Sequence, residues 1–158
     1  MKRSNDPKPV QLEFEIDYRT QFNFIVNDQT FACILKDIAN NDVNIVGLST
    51  TKSRDKHNFI RLVAGTTESE NKRDLKVVSE ALESFDVSFK QETIIAILNI
   101  PAGIPGVFSR IFNCLWCKVE VKSIYLGEKD TIFISVSNIK KATEILSLEN
   151  LEQCQNDC

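Results

Sequence analysis

The sequence predicts an α+β protein made of two tandem copies of one small βαββα(β) unit, with antiparallel sheets and helices on one face. Three observations carry this. A helical face followed by a β-rich run occurs twice, in the same order. In each half an apolar strand precedes that pair, and another strand and a second helix follow it. The apolar face of the second helix has one spacing in both halves: Leu75, Val78, Ala81 and Leu82 in the first, Ile139, Ala142, Ile145 and Leu146 in the second. Agreement of order and periodicity over the whole chain marks an internal repeat.

The first copy opens on residues 22–26, an apolar strand run. Phe31, Ile34, Leu35 and Ile38 then recur at i, i+3, i+4, i+7, one face of a helix, and Asn40-Asn41-Asp42 supplies the turn that ends it. Residues 43–48 and 58–63 read as strands, separated by the polar loop 51–56. Residues 85–90 alternate and supply a fourth strand after the second helix. The second copy repeats this with a strand at 93–98 and a helical face of Val107, Phe108, Ile111 and Cys114/Leu115. Strands at 119–125 and 131–136 follow, joined by a short hairpin at 127–130. It has no fourth strand, because residues 147–158 are polar and acidic without alternation. A surplus strand stands at the other end, where Val10, Leu12, Phe14, Ile16 and Tyr18 alternate with polar residues. Two placements are open. It fills the edge slot left empty in the second copy, interlocking the halves, or it is a hairpin partner of the 22–26 strand. The expected organisation is a flexible tail at 1–9, an extra strand at 10–19, units at 20–91 and 92–147, and a polar tail at 148–158.

Composition narrows function. Of 158 residues, 42% are apolar and 26% charged, with a net charge of −3. No basic surplus is available to neutralise phosphates, so nucleic acid is not an expected partner. No apolar run approaches the roughly 20 residues that span a bilayer, and the first residues lack the apolar stretch of a secretory signal. The five cysteines do not have the spacing of a small disulfide framework, and a reducing cytoplasm with plain thiols is the simplest reading. Cys114 and Cys117 form a CxxC that closes a helix, whereas thiolate activation uses the opening of one. Together with Cys154 and Cys158 they offer a four-thiolate zinc site as an alternative. His57, the single histidine, sits beside a polar loop. No phosphate-binding glycine loop occurs, and no acid, base and nucleophile cluster, so no catalytic residue, resident metal or cofactor is expected and the chain is read as a non-enzyme.

The segment Ile104-Pro105-Gly106-Val107-Phe108-Ser109-Arg110-Ile111-Phe112, between an apolar strand and a further strand, resembles the signature of the ACT domain. Pro105-Gly106 matches it in the second copy and Val43-Asn44-Ile45 in the first. The first copy departs from it with Gln29-Thr30 where Pro-Gly is usual. The second has Glu120-Val121 in place of Asn-Ile, and an extra stretch at 100–104. The resemblance covers about residues 20–147. It implies two ferredoxin-like βαββαβ units, side-by-side sheets in an oligomer, and a small molecule, typically an amino acid, held where units pair. It implies no chemistry of its own.

The residues give that site a physical form. Unpaired N–H groups at a helix start attract a carboxylate. In the second copy the strand-to-helix loop contains Asn99, Gly103, Ile104, Pro105 and Gly106, and its glycines permit close backbone approach. In the first it contains Asn27, Asp28, Gln29 and Thr30, with Asp28 suited to an ammonium group and Asn27 to either role. Each has a purely structural alternative: Asp28 as a helix cap, Pro105 in a first turn, the glycines as turns. The expectation is a regulatory or sensor protein, a homodimer, that binds an amino acid or similar metabolite and reports it to a protein partner. A ligand-free interaction and dimerisation module is the alternative, and a thiol or metal sensor through Cys114 and Cys117 a lesser one.

Overall fold

The structure is a computed structural model and describes residues 13–155. Its first strand, β1, runs unbroken over Glu15–Val26. Tyr18 and Phe22 are separated by Arg19-Thr20-Gln21, which contains no turn residue, so the two strands expected at this end are one. Val10 and Leu12 of the expected alternation lie outside the described residues. Helix α1 (Asp28–Asn40) is capped by Asn27, whose side chain accepts from the Thr30 N–H at 2.8 Å. Strands β2 (Ile45–Lys52) and β3 (Asn58–Ala64) follow, and then α2 (Lys72–Ser84), capped in the same way by Asn71.

Strand β4 occupies Phe89–Leu98. The fourth strand expected at 85–90 and the strand expected at 93–98 are thus one continuous strand. Phe85 belongs instead to the end of α2, and Asp86, at φ 57°, turns the chain. Helix α3 (Val107–Leu115), strand β5 (Val121–Leu126), a 3-10 turn at 128–130, strand β6 (Ile132–Val136) and helix α4 (Ile139–Leu146) complete the described elements.

All strands join one antiparallel sheet of order β2-β3-β1-β4-β6-β5. The two central strands are shared between the halves. Residues 22–26 of β1 lie against β3, while Glu15–Arg19 lie beside Leu98–Ile94 and complete the second half's sheet. The hairpin placement is therefore not the one adopted. All four helices cover one face. Phe14 and Ile16 pack into a core with α3 and α4, and Phe22, Phe24 and Val26, in the same alternation of β1, pack into a core with α1 and α2.

The other face is concave. The sheet curls until its edge strands touch, with Gly47 of β2 bridged to Gly127, just beyond β5. Val46, Val63, Ile94, Ala96 and Phe133 form a small core inside this curl, flanked by Leu98 and Tyr125. The curl also buries polar side chains of β1. Arg19 is 2% exposed and donates to the Thr66 carbonyl at 2.8 Å and to Asp17 at 3.2 Å, and Gln21 is fully buried.

Candidate functional site

A cleft of about 870 Å³ opens where β1 and β4 part company beyond the Phe24–Phe89 pair. Phe24 and Phe89 line its depth. Asn27 and Thr30, at the start of α1, form one wall. Asp86, Lys90, His57 and Phe59 also line the cleft, Lys90 from the concave side of the sheet, because it stands opposite Asn23 in register. The parting has a local cause: the αL turn at Asp86 swings the chain out of α2 before it can pair further with β1. Neither Asp86 nor Lys90 has a side-chain partner among the described residues, so the cleft carries one uncommitted anion and one uncommitted cation.

The expected ligand residues of this loop are distributed unevenly. Asn27 spends its side-chain oxygen on the cap, so Asn27, and not Asp28, is the capping residue. Asp28 accepts from Asn58 at 2.7 Å and pairs with Lys52. The Asn58 hydrogen bond first, then Lys52, hold its carboxyl below the usual carboxylate range. Gln29 is exposed and lies outside the cleft lining.

A second cleft of about 310 Å³ is lined by Gly103, Ile104, Gly106 and the apolar Ile100, Phe108 and Leu126. Gly106, at φ 86°, is the residue before α3 and offers no side-chain cap, leaving the first N–H groups of that helix without one. Pro105 is exposed and stands outside the helix rather than in its first turn. Asn99 points elsewhere: it donates to Glu15 and lines a third hollow with Glu68 and Lys129.

The two loops lie at opposite ends of the sheet. Antiparallel pairing puts Glu15 opposite Leu98 and Phe24 opposite Phe89, a separation of about 30 Å at roughly 3.3 Å per residue. One small molecule cannot touch both within a chain.

The concave face holds a chain of polar side chains that sequence reading missed. Tyr125 donates to Gln21 at 2.7 Å, Gln21 to Asn23 at 2.7 Å, and Asn23 to Glu92 at 3.0 Å. Ser135 donates to Glu92, and Lys122 reaches it at 2.6 Å. Burial pushes the Glu92 carboxyl up, but Lys122, Ser135 and Asn23 together hold it below its ordinary value. Burial raises the Tyr125 hydroxyl well above its ordinary value; Arg61 opposes this and Glu92 adds to it. Such groups tie β1, β4, β5 and β6 together and are too well satisfied to act as acids or bases. The available signal was the polar alternation Arg19, Gln21, Asn23, which on a strand reads as a solvated face.

The cysteines differ from the plain-thiol expectation. Cys117 is disulfide-bonded to Cys154, with Cα atoms 5.9 Å apart, pinning the expected polar tail to the end of α3. Leu151 of that segment packs on the core. Cys114 is a buried free thiol, raised in pKa by burial, and Cys33 is an exposed one. With Cys117 and Cys154 joined, a four-thiolate site is not formed, and Cys158 lies outside the described residues. Among the described residues no group of three or more His, Cys, Asp or Glu is placed to hold a metal ion, and no helix is long and apolar enough to cross a membrane.

No protein-family model matches the chain. No curated protein matches it by sequence. Solved structures do match in fold. A Bacteroides thetaiotaomicron protein superposes with a TM-score of 0.65 at 15% identity, over 83% of this chain and 88% of that one. The regulatory subunit of aspartate kinase from Thermus thermophilus, in its ligand-free form, gives 0.57 at 11% identity, over 84% and 93%. Escherichia coli aspartokinase III, in complex with lysine and aspartate, gives 0.53 at 11% identity, over 92% of this chain and 33% of that one. The chain therefore has the ferredoxin-like α+β fold that its repeats predict, in the ACT-like form that its motif resemblance implies.

Proposed function

We propose that this chain, having the fold of an aspartate kinase regulatory subunit, is itself a regulatory module that binds a free amino acid in the cleft at the start of α1. One observation carries the reading. Lys90 and Asp86, both without side-chain partners among the described residues, share a cleft with the start of a helix and with Phe24 and Phe89. A zwitterion has one charge for each, and its side chain has an apolar surface to cover. The α1 N-terminus attracts the carboxylate, and Lys90 adds positive charge from the concave side of the sheet end. Asp86 takes the ammonium group that Asp28, engaged by Lys52 and Asn58, is not free to take. Thr30 adds a hydroxyl, and the Gly103–Gly106 region of the second cleft is a separate, more apolar place for a ligand. The module works as a homodimer and passes its ligand state to a protein partner, with no catalytic step of its own.

Thermal-shift and calorimetric titration against the twenty amino acids tests this. At least one is expected to stabilise the protein, by about 2.7 kcal/mol at a hundred times its dissociation constant. Lys90→Ala is expected to weaken binding about tenfold or more. Asp86→Asn keeps the left-handed backbone accessible while removing the charge, and is expected to do the same. No response to any amino acid would overturn the ligand reading. The commitment of Asn27 to capping and Asp28 to an ion pair favours the alternative of a ligand-free interaction module, supported by a co-purifying partner without any amino-acid shift.

A further inference from the structure

Three aromatic side chains stand in a row on the outside of α3 and at its end. Phe108, Phe112 and Trp116 are 44%, 45% and 43% exposed, although neighbouring positions Ile111, Cys114 and Leu115 are fully buried. A spacing of four residues puts them along one stripe, each about 6 Å further along the helix. The core of the second half is complete without them. Phe108 also borders the second cleft beside Leu126, itself 50% exposed, so the apolar surface continues from the helix to the edge strand β5.

We propose that this stripe is the surface on which two copies of the chain associate, α3 packing antiparallel on α3 about a two-fold axis through Phe112. Three features favour a second copy as the occupant. The stripe is symmetric about its middle residue, so the two-fold sets Phe112 on its own equivalent and each Phe108 opposite a Trp116, the self-complementarity that an isologous interface requires. The charge pattern suits it too. The chain carries a net charge of −3 and repels its own copy, yet Arg110 is the single Asp, Glu, Lys or Arg between residues 107 and 117. Two residues from both Phe108 and Phe112, it stands on the far flank of the helix from them.

The area is also consistent. Aromatic side chains of about 150–250 Å² each, exposed by a little under half, leave roughly 200–350 Å² of ring surface per copy. That is the apolar centre of an interface of about 800 Å² a side, for which Ser109 and Leu126 provide part of the surround. Burial leaves no orphaned donor, because the Trp116 indole N–H already donates to Asn113 at 3.2 Å.

Trp116 is the single tryptophan, so its fluorescence reads the surface directly. Sedimentation velocity and Trp emission are followed on the full chain over a dilution series from about 100 μM to 0.1 μM, a range that brackets ordinary homodimer affinities. The wild type is expected to be a dimer that dissociates on dilution, its emission shifting to the red as it does. Phe112→Asp sets two like charges face to face on the axis and is expected to weaken association about 100-fold or more. Its circular dichroism and Tm should be unchanged at monomer concentrations, because Phe112 is outside the core. Phe112→Ala, which adds no charge, is expected to weaken it less. Leu48→Asp, a 38% exposed apolar residue on β2, should leave the dimer intact. A wild type that is monomeric throughout would overturn the proposal. So would a dimer that survives Phe112→Asp, or one whose Trp116 emission ignores dilution.

Discussion

Gly47 is where the curl of the sheet is tested most directly. A Cβ built there falls 2.6 Å from Cε2, 2.9 Å from Cδ2 and 3.3 Å from Cζ of Phe133, its three nearest atoms all belonging to that ring. Phe133 is 1% exposed and packed against Val46, Val63, Ile94 and Ala96, so its ring cannot swing aside. Two effects of opposite sign compete in Gly47→Ala. Loss of glycine's backbone freedom favours the folded state by about 0.5–1 kcal/mol. Overpacking costs about 1–3 kcal/mol, and the ring wins if the sheet is closed as described. The net expectation is a loss of about 1–2 kcal/mol, or roughly 2–8 °C in Tm at 2–4 °C per kcal/mol. Phe133→Val alone opens a cavity costing about 2–3 kcal/mol. The double variant should then lose at least about 1 kcal/mol less than the sum, because the valine no longer meets the new methyl group. Gly127→Ala provides the contrast. Its Cβ falls 2.4 Å from the Val46 carbonyl oxygen as well as 2.3 Å from the Phe133 ring, and trimming the ring cannot move backbone. Urea unfolding followed by circular dichroism measures all four. A stabilising Gly47→Ala, or strict additivity with Phe133→Val, would show that the edge strands do not meet over Phe133.

The remaining predictions concern charge, crosslink and cap. The carboxyl of Glu92 is held below its ordinary value of 4.5. Its contribution to stability is therefore complete above about pH 4.5 and lost as pH falls through the lower folded-state value. Glu92→Gln should flatten the acid limb of stability against pH and lower stability at neutral pH, where Lys122 loses its partner; an unchanged acid limb argues against the network. Reducing the Cys117–Cys154 bond, which closes a loop of sequence separation 37, should cost up to about 4 kcal/mol by chain entropy, read as a lower Tm with a phosphine reductant, and non-reducing peptide mapping should recover the linked pair. Asn27→Ala and Asn71→Ala each remove a side-chain cap and should cost about 1 kcal/mol in thermal unfolding. Loss of amino-acid binding in Asn27→Ala with unchanged stability would instead assign that side chain to the ligand.

The sequence by itself determined the repeat, the type and order of most elements, and the residues of the helix-facing core. Apolar periodicities of 3.6 and 2 are local properties, written into faces such as Ile34/Ile38 and Phe22/Phe24 and readable without knowing what they pack on. Both strand-to-helix loops were also visible, because Asp28 and Pro105-Gly106 are residue types that open helices, although the cap is Asn27 and Pro105 stands before the first turn. Tertiary structure alone decided the rest. That β1 and β4 each run as one strand through both halves depends on pairing across the sheet, since a periodicity shows that residues alternate but not which strands lie beside them. The curl that buries Arg19 and Gln21 and half-buries Glu92 depends on Gly47 meeting Gly127, residues 80 positions apart, so polar side chains of a strand became a hydrogen-bonded interior. Lys90 and Asp86 became candidate ligand groups only because β1 and β4 diverge beside α1. Two copies therefore exist as a pattern in the sequence, while the folded object is a single sheet, because its central strands satisfy the backbone hydrogen bonds of both copies at once.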